Sequence, residues 1–169
     1  VGPWQFIQST GKIYGLDKSF YIDERRDFVK STRAAAEYLK KLHLEFDDWY
    51  LAFAAYNCGE MRVRETIKKR NTRDFWELAV REPSITGKYS VLPKETANYV
   101  PRILAITFIA KNPTKYGFKN NPEPNLEWNN ISIDKFVTLK DISDCSGISE
   151  KKLKMYNPEL VSGEKTQKK

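Results

Sequence analysis

The sequence predicts a mainly α-helical body followed by a small α+β module at the carboxyl end. Apolar residues recur at helical spacing through most of residues 1–118, and Asp, Gly or Pro stands at the ends of these runs. The segment Lys119–Pro124, KNNPEP, has the composition of a linker. Beyond it, Ile131-Ser132-Ile133 alternates like a strand and two short helical segments follow.

The first helix is expected to begin at Pro3, because proline fits the first turn of a helix, and to end at Gly15. Gln5 then falls in that first turn. A second helix is predicted over residues 28–46, with Asp27 as its amino-terminal cap. The residues predicted to face the core from this helix are Thr32, Ala35, Ala36, Leu39, Leu42 and Phe46.

The apolar run Trp49–Gly59, WYLAFAAYNCG, predicts a buried helix. Trp49, Phe53 and Tyr56 are spaced at i, i+4 and i+7, so they are expected to share one buried aromatic face. Asn57 lies where this helix must end. Two interpretations stay open on this stretch alone: a pocket floor with an amide and a hydroxyl at its mouth, or a core helix with an Asn C-cap.

Further helices are predicted on both sides of a loop. Asp48 and Asp74 are expected to cap the helices that follow them, and another amphipathic helix is expected over residues 60–69. Residues 82–93, EPSITGKYSVLP, are expected to form an ordered surface loop that could rim a ligand site.

A long helix is predicted from Lys94 to the helix-ending pair Asn112-Pro113. Pro101 inside it removes a backbone hydrogen bond, so we expect a kink just before that residue. Such a kink would turn the side chain of Tyr99 into a cavity.

In the carboxyl-terminal module, Thr138 is expected to cap a helix over residues 139–145 that Gly147 ends. Ser149 is expected to open a second helix that runs to Asn157. Residues 161–169 have the polar composition of a disordered tail.

Composition indicates a folded domain whose positive charge attracts a polyanion, which could be nucleic acid, an anionic membrane face or an acidic cell-wall polymer. The chain of 169 residues is 40% hydrophobic, and its formal net charge is +7, with the excess of Lys and Arg in residues 1–119. These cations alternate with acids along helices, which argues against nucleic acid as the partner. Cys58 and Cys145 are expected to be unpaired thiols, and with one histidine, His43, no metal site is expected. No apolar run is long enough to cross a membrane.

Several segments resemble the lysozyme-like lytic transglycosylases, in particular their membrane-bound type D group. They are GPWQFIQSTGKIYGL, YIDERRD, STRAAAEYL, DWYLAFAAYNCG, FWEL, LPKETANYVPRILA and AKNPTKYGF, and they cover most of residues 1–118. Residues 131–160, which end in LKMYNPEL, resemble a degenerate LysM-type peptidoglycan-binding module. The implied organisation is a lysozyme-like domain at 1–118 that is incomplete at its amino end, a linker at 119–127, a LysM-like module at 128–162 and a tail at 163–169.

The resemblance implies a substrate and a reaction. These enzymes cleave the β-1,4 bond between N-acetylmuramic acid and N-acetylglucosamine in peptidoglycan without water, which leaves a 1,6-anhydro sugar, and they need no cofactor. Gln5 and Asn57 match the substrate-binding residues of the family, and Tyr56 matches its pocket tyrosine. Tyr99 matches the tyrosine whose hydroxyl holds the catalytic carboxyl. The implied location is the bacterial cell envelope, periplasmic or at the outer membrane, with any membrane anchor outside this chain.

The sequence departs from the family where the catalytic glutamate is concerned. That residue belongs to a Glu-Ser motif upstream of the glutamine motif, so we expect it before Val1, and this chain alone is expected to be inactive. Glu24, Glu60 and Glu95 are expected to be structural. The alternative function is a noncatalytic envelope protein that binds peptidoglycan through the same groove, and a nucleic-acid-binding helical protein ranks third.

Overall fold

The computed structural model describes residues 1–119, 124, 127–133 and 137–161. These residues form eight α-helices, two short 3-10 helices and two isolated antiparallel bridges, which confirms the prediction of a mainly helical chain for the described part. The α-helices are α1 Gln8–Ile13, α2 Phe28–Phe46, α3 Trp49–Cys58, α4 Glu60–Arg70, α5 Phe75–Ala79, α6 Lys94–Lys111, α7 Leu139–Ser146 and α8 Glu150–Tyr156. The chain divides into two compact units, one of Val1–Glu37 with Leu126–Lys169 and one of Tyr38–Asn125.

Aspartate caps fix the starts of three helices where the sequence predicted them. Asp27 Oδ1 accepts the backbone N–H groups of residues 29 and 30 at 2.8 and 2.9 Å. Asp48 Oδ1 accepts that of residue 51 at 2.8 Å, and Asp74 Oδ1 accepts that of residue 76 at 2.7 Å. Each bond satisfies a donor that the first turn of a helix leaves unpaired, so these boundaries depend on local chemistry alone.

The amino-terminal helix begins later than predicted. α1 starts at Gln8, and Gln5 lies in a turn before it with a φ of 53°. Both the backbone N–H and the side-chain Nε2 of Gln5 donate to the carbonyl of Gly2, at 3.1 and 2.8 Å. The prediction that Gln5 occupies a helical turn is therefore wrong, because these two bonds stabilise a left-handed conformation that an α-helix excludes.

The inner face of α2 is rotated from the predicted one. Ala35, Leu42 and Phe46 are buried as predicted and Leu39 is half-buried, but Thr32 and Ala36 are exposed. Ala34 and Tyr38 are buried in their place. The hydroxyl of Thr32 instead accepts a hydrogen bond from Trp4 Nε1 at 2.8 Å.

Arg25 is the polar centre of the first unit. Its side chain is only 8% exposed, and its Nε and Nη2 donate to the two carboxylate oxygens of Asp23 at 2.8 and 2.6 Å. Nη1 donates to the carbonyl of Phe6 at 3.0 Å. The hydrogen bonds from Arg25 hold the pKa of Asp23 below its usual value, and the same contact raises the pKa of Arg25. The pair therefore stays charged at neutral pH and ties residues 23–25 to the amino-terminal turn.

The carboxyl-terminal residues of the same unit pair with this segment. Ile22 and Leu160 form an antiparallel bridge. The backbone N–H of Asp23 donates to the carbonyl of Glu159 at 2.8 Å, and that of Val161 donates to the carbonyl of Tyr21 at 2.9 Å. Burial raises the pKa of the Glu159 carboxyl, and the nearby carboxylate of Asp27 adds to the rise. This edge joins two segments that lie far apart in the sequence.

The carboxyl-terminal module forms its two helices but not its strand. Thr138 and Asp141 form a capping box at the start of α7, and Gly147, with a φ of 71°, ends that helix as predicted. Ser149 caps α8. Residues 131–133 are described and have no strand partner, so the predicted strand is wrong: alternation alone does not supply a neighbouring strand. The predicted tail after residue 161 and most of the predicted linker lie outside the described residues.

In the second unit, α3 packs against α4 and α6. The buried residues of α3 are Leu51, Ala52, Ala54 and Ala55. Trp49 is 49% exposed and Phe53 and Tyr56 are half-buried, so the predicted buried aromatic face is wrong. The small alanines form the inner face because they let neighbouring helices approach closely, and the aromatic rings lie at its border.

Replacement of Asp23 by alanine tests the buried ion pair. Asp23→Ala should lower the free energy of unfolding by about 3 kcal/mol at pH 7, because it leaves a buried guanidinium without its carboxylate. The pKa of Asp23 is lowered from 3.8 in the folded protein, so its contribution is complete above that value and is lost as the pH falls through the lowered one. Urea unfolding at pH 7 and at acidic pH measures both effects.

The matched control is Glu45→Ala, which removes the acid of the solvent-exposed pair with Arg64. It should cost less than about 1 kcal/mol. Equal losses for the two variants would contradict the central position of the Asp23–Arg25 pair.

Candidate active site

The candidate site is built where α3 ends. Asn57 lies in the last turn of α3 and is half-buried. The helix ends at Cys58 rather than at Asn57, and Gly59 caps it. Gly59 has a φ of 89° and donates its N–H to the carbonyl of Ala55 at 2.8 Å. Gly59 also starts α4, so this residue makes the sharp change of direction between the two helices. Asn57 is therefore not needed as a cap, and its side chain is available for another contact.

A hydrogen bond from α6 fixes the side chain of Asn57. Thr96 is fully buried, and its Oγ1 donates to Asn57 Oδ1 at 2.7 Å. Because the amide oxygen is engaged, the amide nitrogen with its two N–H donors is the group that Asn57 offers to a ligand. Such a donor suits a carbonyl acceptor, for example the oxygen of an acetamido group.

Tyr56 and Tyr99 contribute two neutral hydroxyl groups to the same region. Burial raises the pKa of Tyr56 to about 12, and the nearby Tyr99 adds to the rise. Burial also raises the pKa of Tyr99. Both phenols therefore keep their protons at neutral pH and can donate hydrogen bonds. Tyr99 lies three residues after Thr96 on α6, which places the two side chains on one helix face.

Tyr38 joins this group from α2. Its ring packs on that of Tyr56 with the ring centroids 5.3 Å apart, and its hydroxyl donates to Glu60 Oε2 at 3.0 Å. The pKa of Glu60 is lowered, and the largest cause is a hydrogen bond from the backbone N–H of Glu60 to its own carboxylate. Glu60 is thus an ionised carboxylate at neutral pH that orients Tyr38.

The structure brings together three of the four predicted site residues, Tyr56, Asn57 and Tyr99, all on helices of the second unit. Gln5 belongs to the first unit and is exposed. Its turn requires glycine at position 2, since a Cβ on Gly2 would lie 1.7 Å from the carbonyl oxygen of Arg25. That Gln5 lines the same pocket as Tyr56 stays a prediction, as does the kink at Pro101.

Sequence reasoning missed Thr96 and Tyr38. Thr96 carried a usable signal, since it precedes Tyr99 by one helical turn within the motif ETANYV. Tyr38 did not, because its contact with Tyr56 joins residues from two helices and no spacing within the sequence indicates it.

Other side chains of the described residues offer little further chemistry. Cys58 and Cys145 are free thiols, and burial raises the pKa of Cys58. No three His, Cys, Asp or Glu side chains are grouped as metal ligands within the described ranges. None of the helices described has the length and apolar character that a membrane crossing requires.

The sequence is similar to known proteins over the segments that build this site. Residues 1–79 match the family described as Transglycosylase SLT domain. Two proteins named membrane-bound lytic murein transglycosylase D, from Escherichia coli strain K12 and Escherichia coli O6:H1, are 39% identical over 163 residues, which is 93% of this chain and 33% of each relative. An Alteromonas protein named for resistance to tributyltin chloride is 43% identical over 121 residues, 66% of this chain and 58% of that protein.

These matches show similarity to the Transglycosylase SLT domain over residues 1–79 and to two proteins named lytic murein transglycosylase D over most of the chain. The matched SLT segment contains Gln5, Tyr56 and Asn57, whereas Tyr99 lies beyond it. The chain spans about a third of the length of the type D relatives.

A double-mutant cycle tests the bond between Thr96 and Asn57. Thr96→Val keeps the shape of the side chain but removes the donor, so it should lower the free energy of unfolding by about 1–3 kcal/mol. In a protein that already carries Asn57→Ala, and so lacks the acceptor, Thr96→Val should lower the free energy of unfolding by less. The expected coupling energy, measured by urea unfolding of the four proteins, is about 1 kcal/mol or more.

Thr107→Val is the control, because the hydroxyl of Thr107 on the same helix donates to the backbone carbonyl of Ile103. Its effect should add to that of Asn57→Ala within about 0.5 kcal/mol. Additivity of Thr96→Val with Asn57→Ala would show that the bond contributes nothing to the site.

Proposed function

We propose that this protein is a peptidoglycan lytic transglycosylase that cleaves the β-1,4 bond between N-acetylmuramic acid and N-acetylglucosamine and leaves a 1,6-anhydro end. Asn57 and Gln5 bind the sugars, Tyr56 lines the pocket, and the Tyr99 hydroxyl positions the general acid. The proposed partner is the glycan strand of peptidoglycan in the bacterial cell envelope, and the type D relatives named membrane-bound support that location.

One observation carries the proposal. Asn57 and Tyr99 come from different helices, and the hydroxyl of Thr96, on the same helix as Tyr99, donates a hydrogen bond to Asn57 Oδ1 at 2.7 Å. A fully buried residue thereby holds the amide of Asn57 against the helix that carries the neutral phenol of Tyr99. This combination suits a neutral amino sugar, which offers acetamido and hydroxyl groups and no charge. It also suits a carboxyl group that needs one hydrogen-bond partner on its oxygen.

The proposed reaction needs a single carboxyl group in two states. The protonated carboxyl donates its proton to the glycosidic oxygen as the bond from that oxygen to C1 breaks. The carboxylate that results then takes the proton of the 6-hydroxyl as that oxygen bonds to C1, which closes the 1,6-anhydro ring. The proton is returned and water is not consumed, so the reaction does not need the second carboxylate of an ordinary glycosidase.

The acids nearest to the recognised motifs do not suit this role. A general acid must be protonated at neutral pH, which requires an apolar surrounding. Glu24 is paired with Lys30 and also accepts the backbone N–H of Asp17, and the pKa of Glu60 is lowered. Glu95 is exposed to solvent. None of these three acids suits the role, and we propose that the general acid comes from polypeptide outside residues 1–169.

A noncatalytic peptidoglycan-binding protein is the second candidate. The observation in its favour is the ionised state of Glu60, which is the acid linked through Tyr38 to Tyr56. Binding through Asn57 would need no protonated acid. The helix pair α7 and α8 would add a LysM-like glycan-binding module in either case, and both candidates share the same substrate.

The reaction and the origin of the acid can be tested together. Residues 1–169 expressed alone should bind peptidoglycan sacculi and release no anhydro-muropeptides, whereas the full-length natural protein should release them. Tyr99→Phe in the full-length protein should lower kcat about 10–100-fold, because it removes one hydrogen bond to the carboxyl group. Chromatography of the products with mass spectrometry identifies the ends formed.

Tyr50→Phe is the matched control, since the Tyr50 ring packs on Phe75 and Trp76. It should leave kcat within about twofold of the unchanged protein. Hydrolysed reducing ends would contradict the reaction type. Binding without any cleavage by the full-length protein would favour the noncatalytic candidate.

A further inference from the structure

A rigidly held aromatic residue lies in the loop between α5 and α6. Tyr89 has a φ of 64°, a conformation that is unfavourable for a non-glycine residue because the Cβ atom crowds the backbone. Two side chains of α4 hold the loop on either side of it. Lys69 Nζ donates to the carbonyl of residue 88 at 3.1 Å, and Arg70 Nη1 donates to the carbonyl of residue 90 at 3.2 Å. Hydrogen bonds to the residues on either side therefore hold Tyr89 in this backbone conformation, which the residue itself does not favour.

Two cations share the ring of Tyr89. The guanidinium carbon of Arg62 lies 5.4 Å from the ring centroid, and Lys88 Nζ lies 4.8 Å from it. Both distances are within the range of a cation–π contact. Two positive groups around one ring repel each other, so an anion placed between them would be stabilised by both.

Arg62 also holds a donor that the described part of the chain does not satisfy. Its Nε is buried and has no hydrogen-bond partner there. Arg64, two residues further along the same helix, is paired with Glu45 at 2.5 Å. A buried donor without an acceptor has lost its hydrogen bonds to water and is destabilising, so such a group in a native protein calls for a reason.

Arg62 lies beside the residues proposed to bind the sugar. It is in the first turn of α4, five residues after Asn57, and its charge acts on the thiol of Cys58. Cys58 also interacts with Thr96, whose hydroxyl holds Asn57. A ligand bound at Asn57 would therefore lie near the cationic group.

We propose that Arg62, Lys88 and Tyr89 form a carboxylate-binding subsite that receives the peptides attached to the glycan strand. This inference rests on the proposed function. Where the lactyl carboxyl groups of the strand are amide-linked to peptides they carry no charge, so the anionic groups of a peptide-bearing strand are the carboxylates of those peptides. The planar guanidinium of Arg62 matches a carboxylate with two parallel hydrogen bonds, and Lys88 adds a point charge. A peptide-bearing strand should bind more tightly than a bare one.

The test compares one glycan tetrasaccharide that carries its peptides with a bare form of it, in which the lactyl carboxyl groups are capped as simple amides because a free lactyl group is itself a carboxylate. Binding of each to the 169-residue chain is measured by titration calorimetry. The unchanged chain should bind the peptide-bearing form about tenfold more tightly, as expected for one charge-assisted pair. Arg62→Gln should remove that advantage and leave the affinity for the bare form within about twofold. Arg62→Lys should keep only part of the advantage, because it keeps the charge and loses the planar fork.

Arg102→Gln, on the exposed surface of α6, is the control for net charge and should retain the full advantage. Thermal unfolding of each variant shows whether the fold is intact. Equal affinity of the unchanged chain for both ligands would overturn the subsite and leave the proposed function standing. A parallel loss for both ligands in Arg62→Gln would assign Arg62 a structural role and also overturn it. Absence of binding to both would overturn the proposed function together with the subsite.

Discussion

The hydrogen bond between Thr96 and Asn57 is the constraint on which the candidate site depends. It joins residues that lie 39 positions apart and links the end of α3 to the start of α6. Because Thr96 is fully buried, loss of the bond would leave polar atoms without partners, so the two helices keep their relative position. The same bond engages the amide oxygen of Asn57 and leaves its amide nitrogen as the available donor. One contact therefore both links the two helices and sets which group of Asn57 is available.

Burial determines the charge state of the groups around that contact. Tyr56 and Tyr99 keep their protons because burial raises the pKa of each. Glu60 keeps its charge because its own backbone N–H and the Tyr38 hydroxyl stabilise the carboxylate. The described site thus offers neutral donors and one fixed anion. Such a set can bind an amino sugar and hold a carboxyl group, but it supplies no protonated acid of its own.

The parts of the fold that could be predicted are those set by neighbouring residues. The side chains of Asp27, Asp48 and Asp74 accept hydrogen bonds from backbone N–H groups two or three residues away. The residue type at each of these positions is therefore enough to predict where the helix begins. Gln5 and Trp49 were placed wrongly because their environments depend on other segments. The carbonyl of Gly2 holds Gln5 outside the helix, and the alanines of α3 displace Trp49 from the inner face.

The same distinction applies to the site. Tyr56, Asn57 and Tyr99 were named from motifs, and the structure brings them together on α3 and α6. Thr96 and Tyr38, which hold them there, act through contacts between helices that periodicity does not reveal. Arg62 looked like one of many solvated cations of α4 in the sequence. Only the coordinates distinguish its buried Nε from the ion-paired side chain of Arg64.

The most direct measurement is nuclear magnetic resonance of the 169-residue chain during titration with a peptide-free glycan tetrasaccharide. If Asn57 and Tyr99 bind one amino sugar, the side-chain amide resonances of Asn57 and the ring resonances of Tyr99 should shift together with a single dissociation constant. Saturable shifts elsewhere, with both of these side chains unchanged, would contradict a sugar site at the junction of α3 and α6.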